Sequence, residues 1–171
     1  MVNTTGSVLP IVALAFADAA AAYQRYVGRT VNAMARDFVQ GLADIDERVA
    51  ADAYDALDPI ERDLYDVSRF HFECVCGGLG VFFTNSTGTH WSETIGALGR
   101  VGAPRAQRTL MEACALFPDG APPADQRIFE AQANDPDLQN RLNKLGAQID
   151  DSELWDAMES YWKAHASRFD G

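Results

Sequence analysis

Positive charge is what this sequence has least of. Fourteen Lys and Arg stand against 25 Asp and Glu in 171 residues, giving a formal net charge of −11 and an isoelectric point near 4.5. A nucleic-acid binder needs a basic surface that displaces phosphate counterions, so direct nucleic-acid binding is not expected. Docking on an anionic membrane is set aside on the same ground. Cysteine is scarce and odd in number: Cys74, Cys76 and Cys114. Two of the three are one residue apart, a poor disulfide framework, and a reducing compartment is expected. Sustained period-two alternation is missing, which argues against the sheet classes. The apolar run from Val8 to Ala22 has no basic residues before it, is interrupted by Asp18, and is too short to span a bilayer. It is expected to be a buried helix or an oligomer contact, which would make a homodimer, in a cytoplasmic protein.

What is present is helix. Hydrophobic content of 47% and aromatic content of 10% mark a globular chain, and the length suits one domain. The expected fold is all-α: a single compact multi-helix domain over 1–171, with N-terminal helices in 1–57 and a core at about 58–165. Ser7 and Pro10 open a first helix toward Val27, continued past Gly28 to Phe38 and ended by Gly41. A second covers Leu42 to Leu57, with Leu42, Ile45, Val49, Ala53 and Ala56 on one side and Asp44, Glu47 and Asp55 opposite. Asp58, Pro59 and Glu61 then form an N-cap, first-turn proline and capping-box set. That helix should run to Cys76 and end at Gly77-Gly78. Its inward side is Ile60, Leu64, Val67, His71, Cys74 and Val75; Arg62, Asp66, Arg69 and Glu73 are expected outward, as i,i+4 pairs. An aromatic segment (Val81, Phe82, Phe83) and a polar turn, Asn85 to Gly88, follow. Further helices are expected over Thr89–Arg100, from Pro104 to before Phe117, near Gln126–Gln132, around Leu138–Leu145, and over Asp151–Arg168. The last carries an apolar stripe of Leu154, Trp155, Met158, Tyr161 and Trp162.

The negative charge is segregated. Residues 37–66 carry a net −8 and residues 117–171 a net −6, while the rest of the chain sums to +3. On helix faces, carboxylates three or four residues apart lie about 5–6 Å from each other. Such rows approach the charge density of a duplex, and they also serve as ordinary solubilising faces.

Catalytic and metal patterns are weak. Cys74 and Cys76 point about 200° apart on a helix, too far to share an ion with His71 from one regular turn. His71 sits within the apolar face, where a hydrogen-bonded core histidine is the usual finding. Gly77-Gly78-Leu79-Gly80 follows a helix and lacks the lysine of a phosphate loop. No strained elbow frames a nucleophile. No catalytic residue, cofactor or metal is expected.

The segment from Glu73 to Gly88 resembles the signature of a small bacterial family of DNA-mimic-like proteins. Gly77, Gly78, Phe82, Phe83, Asn85 and Gly88 match the family's pattern; Cys76, Leu79 and Val81 stand where it has Asn, Phe and Gln. The stretches Ala97 to Ala103 and Phe117-Pro118-Asp119-Gly120 correspond to its later helix and loop. The resemblance covers about residues 58–165. It implies an all-helical fold. Most members have no assigned role, and the best-known one is an acidic dimer whose negative surface occupies the DNA-binding face of a helix-turn-helix transcription factor. The matching motif residues are expected to be structural: a helix break, aromatics packed beneath it, and a capped turn.

The expected function is therefore that of a non-enzymatic acidic binding module, a DNA mimic that occupies the nucleic-acid site of a basic protein such as a transcription factor. Its candidate partner-binding residues are Asp44, Glu47, Asp55, Asp66, Glu73, Glu153, Asp156 and Glu159. The alternative is an immunity-type or structural interaction domain that uses apolar contacts, with the Leu9–Ala22 helix as one surface. A third reading is an enzyme pocket formed by His71, Asn85 and His90.

Overall fold

The computed structural model describes residues 33–50 and 54–168. The chain divides into two units, Met1–Ala53 and Tyr54–Gly171. In the first, one helix is described: α1, Ala33–Ala50. Phe38, Leu42 and Ile45 are buried at i, i+4, i+7 spacing, and Asp37, Asp44 and Glu47 are exposed. Gly41 does not end this helix, contrary to expectation. A single helical glycine costs about 1 kcal/mol relative to alanine, which the apolar residues on either side offset. The expected helix from Ser7 toward Val27 lies outside the described residues.

Among its described residues the second unit holds seven helices: α2 (Pro59–Gly77), α3 (Leu79–Thr84), α4 (Trp91–Val101), α5 (Pro104–Cys114), α6 (Gln126–Ala133), α7 (Pro136–Gly146) and α8 (Asp151–Ala164). Short 3-10 segments lie at Tyr54–Ala56, Ser86–His90 and Ala166–Arg168. The described residues contain no strand, and the all-α expectation holds. The aromatic segment expected between helices is itself helical, as α3, and the stretch expected to end at Leu57 as α-helix is a tighter turn there.

Acidic residues start these helices. Asp58 Oδ1 accepts the backbone N–H of Ile60 at 2.7 Å and of Glu61 at 3.0 Å, while Glu61 Oε2 accepts the Asp58 N–H at 3.0 Å. Asp125, Asp135 and Asp150 cap α6, α7 and α8 by accepting first-turn backbone N–H groups, without the reciprocal glutamate bond. Each cap satisfies backbone N–H groups of the first turn and sits at the positive end of a helix dipole. Part of the acidic surplus is thus helix-starting chemistry.

α2 is the central helix of this unit, packed by α3, α4 and α8. Leu64, Val67 and Phe70 are fully buried, but so are the carboxylates of Asp63, Asp66 and Glu73. The sequence places Asp66 and Glu73 on an outer face; a helix covered on several sides has no such face over that stretch. The reverse holds at its end. Gly78 turns the chain at φ +84°, and the last turn stands clear of the core, leaving Val75 exposed rather than inward.

Below the break lies a cluster of phenylalanines. Phe82 meets Phe70 at 5.2 Å between ring centroids and Phe83 at 5.1 Å; Phe83 meets Phe117 at 5.1 Å. Phe129 stacks on Phe117 at 6.0 Å. Two α7 side chains hold α3 from the other side. Asn143 Oδ1 accepts the Gly80 N–H at 2.9 Å, and Gln139 Nε2 donates to the Gly80 carbonyl at 3.0 Å. The motif residues Gly78, Phe82, Phe83 and Gly88 are built into this junction. Gly77 ends α2, and the Asn85 N–H closes α3 on the Val81 carbonyl at 3.1 Å.

Candidate functional site

The eight proposed partner-binding carboxylates fall into three environments. Asp44 and Glu47 are exposed on α1, in one row with Asp37, and Gln40 Nε2 donates to Asp44 at 2.8 Å. Asp55, on the Tyr54–Ala56 turn, and Asp156, on α8, are also exposed. Glu153 and Glu159 are half-buried beside cations: Arg105 Nε lies 3.7 Å from Glu153, and Lys163 Nζ 2.7 Å from Glu159. Asp66 and Glu73 lie inside. A partner docking on the folded surface meets the first group, meets the second partly neutralised, and does not reach the third.

The interior carboxylates build a polar network that no local pattern announces. Asp63 is 3% exposed and takes Arg100 through Nε, 3.0 and 2.9 Å from its two oxygens, and through Nη2 at 2.6 Å. The Tyr161 hydroxyl adds a bond to Asp63 at 2.9 Å, and its own ionisation is pushed up to about 12 by burial and that carboxylate. Three residues on, Asp66 accepts the Tyr54 hydroxyl. Burial raises Asp66 to about 7; Glu93 and Asp63 add to the rise, and the Tyr54 bond opposes it. Tyr54 lies edge-on to His90 at 4.8 Å, and the Arg62 guanidinium lies 5.7 Å over its ring. These groups border a cleft of about 610 Å³ between the Tyr54 turn, α2 and α4.

His90 lines this cleft, but His71 and Asn85 do not, so the three residues of the expected enzyme pocket are not brought together. His71 Nε2 is hydrogen-bonded to Asp151 Oδ1 at the start of α8, with the Trp155 ring 6.0 Å away. That bond holds the Asp151 carboxyl below its usual range. Asn85 is exposed on the turn after α3. Burial pushes the Cys74 thiol up and the Cys114 thiol up to about 12, so neither is a thiolate at neutral pH. No helix among the described residues is long and apolar enough to cross a membrane.

A family model described as DMP19-like protein matches residues 55–165. The chain belongs to the DMP19-like family. This agrees with the resemblance read from Glu73 to Gly88, and its N-terminal edge lies at 55 rather than 58. The DMP19-like region is nearly all of the second unit, from the Tyr54–Ala56 turn to just past α8; α1 lies outside it. Asp55, Asp156 and the Asp63–Arg100–Tyr161 network are therefore part of the DMP19-like region, and Asp44 and Glu47 are not. No curated protein and no solved structure matches the chain.

Proposed function

We propose that this chain is a non-enzymatic acidic binding module that occupies the nucleic-acid-binding site of a basic protein, such as a transcription factor, by presenting carboxylates where that protein takes phosphates. Membership of the DMP19-like family and a net charge of −11 support the reading. The observation that carries it is the row of exposed carboxylates on α1. Asp44 and Glu47 stand one turn apart, with side chains about 5–6 Å from each other, and with Asp37 they set a line of negative charge along the helix. Asp55 and Asp156 add exposed charge from the second unit, with Glu153 and Glu159 as weaker contributors. Asp66 and Glu73 are dropped from the surface because they are buried. A homodimer doubles the surface, and transcriptional regulation in the cytoplasm is the setting such a partner implies.

Charge of this kind steers encounter and sets specificity, and it is screened by salt. The variant D44K/E47K/D55K is expected to lose capture of the basic partner while its far-ultraviolet helical spectrum stays unchanged. Capture equal to that of the parent protein removes these residues from the interface.

A second reading is favoured by one observation. Ile128, 50% exposed, lies with Leu116 and Leu138 along a groove of about 780 Å³ beside α6 and α7. An interaction domain using that groove needs no DNA likeness, and contacts centred on its apolar side chains are less sensitive to salt than a row of carboxylates.

A further inference from the structure

Asp66 is 5% exposed, yet the bond it accepts comes from a neutral donor, the Tyr54 hydroxyl, 3.2 Å from Oδ1 and 3.1 Å from Oδ2. A buried carboxylate ordinarily keeps its charge by pairing with a cation. Here the neighbouring cations are engaged elsewhere. Arg100 donates to Asp63, and Arg62 Nη2 donates to the Asp55 carbonyl at 2.5 Å. The titratable and charged groups around Asp66 come from every side. Arg62 and Asp63 share its helix, Tyr54 and Asp55 come from the turn, and His90 from the 3-10 segment. Glu93 and Arg100 come from α4, and Tyr161 of α8 reaches Asp63. α3 brings none, its sequence being Leu-Gly-Val-Phe-Phe-Thr.

Tyr54 also anchors its own turn. Its carbonyl accepts the Leu57 N–H at 3.1 Å, and its ring leans on Tyr65 at 5.6 Å. We propose that Asp66 and Tyr54 form a protonation-controlled latch: with a proton on Asp66 the turn is held against α2, and loss of that proton releases Tyr54 and opens the cleft to water. The physical cause is the placement of an ionised, desolvated carboxylate beside Asp63 and Glu93. One phenol hydrogen bond does not offset that, and entering water does. Tyr54 is the first residue of the second unit, so release frees the point where the chain enters it, together with Asp55. The latch goes beyond the binding reading and stands or falls without it.

The direction of the pH effect follows from the raised proton affinity of Asp66, about 7 in the latched state against 3.8 for the free carboxyl. The latch is at full strength below about 4, weakens roughly tenfold per pH unit as pH rises, and levels out above about 7. Amide hydrogen exchange of the whole chain, read by NMR from pH 5 to 8 and corrected for intrinsic rate, tests it. The Leu57 amide should lose protection roughly tenfold per unit up to about pH 7. The Gly102 and Ala103 amides, which bond the Leu98 carbonyl, should stay constant. D66N should give a flat Leu57 profile. Should D66N fail to fold, Y54F should show lower Leu57 protection than the parent at acid pH with the two control amides unchanged. A flat parent profile overturns the latch. So does a parallel fall at Gly102 and Ala103, a parent-like slope in D66N, or a parent-like profile in Y54F.

Discussion

Gly88→Ala should cost the second unit on the order of 4 kcal/mol or abolish its cooperative unfolding, because overpacking against backbone has no cheap relaxation. A Cβ at Gly88 would lie 2.3 Å from the Phe82 carbonyl oxygen and 2.8 Å from the Phe83 Cα. Both phenylalanines are sealed in the aromatic cluster, at 1% and 0% exposure, so their backbone has nowhere to move. Gly80 makes the contrast. A Cβ there meets the ends of the Gln139 and Asn143 side chains, which can swing aside at the expense of their bonds to the Gly80 carbonyl and N–H. Urea denaturation of the two variants should therefore rank Gly88→Ala well below Gly80→Ala. A Gly88→Ala protein within about 1 kcal/mol of its parent would mean that the motif is not structural.

The second large effect is expected at Arg100. Arg100→Met strands Asp63, whose side chain is 4% exposed, with the Tyr161 hydroxyl, 2.9 Å away, as its remaining partner. Breaking a buried pair from one side costs about 3–5 kcal/mol. The lower end applies here because the arginine side is 59% exposed and already partly solvated. Adding Asp63→Asn to Arg100→Met should recover a large part of that loss, since an amide accepts the Tyr161 bond without a charge. A double-mutant cycle by chemical denaturation measures the coupling. Losses that simply add would show that the two residues do not act as a pair.

Helix starts were legible because their chemistry is local. Asp58, Pro59 and Glu61 announce α2 within four residues, and Gly77-Gly78 announces its end. The glycine and phenylalanine motif carried the family. The faces of α2 were misread for a physical reason: a helical wheel assumes one apolar side, whereas α2 is enclosed by α3, α4 and α8. Polar side chains on such a helix are buried wherever a distant partner satisfies them. Those partners are far away in the chain: Arg100 and Tyr161 for Asp63, Tyr54 for Asp66, and Asp151 for His71. No period of two or 3.6 encodes such pairings. The charge was misleading in a related way. Four of its aspartates cap helices, and Asp46, Asp63, Asp66 and Glu73 are buried, so the surface available to a partner is smaller than net charge suggests. Of the eight candidate residues, those fully exposed are Asp44 and Glu47 in the first unit and Asp55 and Asp156 in the second.

The measurement that bears most directly on DNA mimicry is the affinity of the full chain for its captured basic partner, titrated at about 50 and 200 mM salt with and without duplex DNA. The mimic should bind at least about tenfold more weakly at the higher salt, because the contacts are carboxylate to Lys or Arg and are screened. Duplex DNA and the chain should exclude each other from the partner. Equal affinity at both salt concentrations, together with a ternary complex of chain, partner and DNA, would contradict the account.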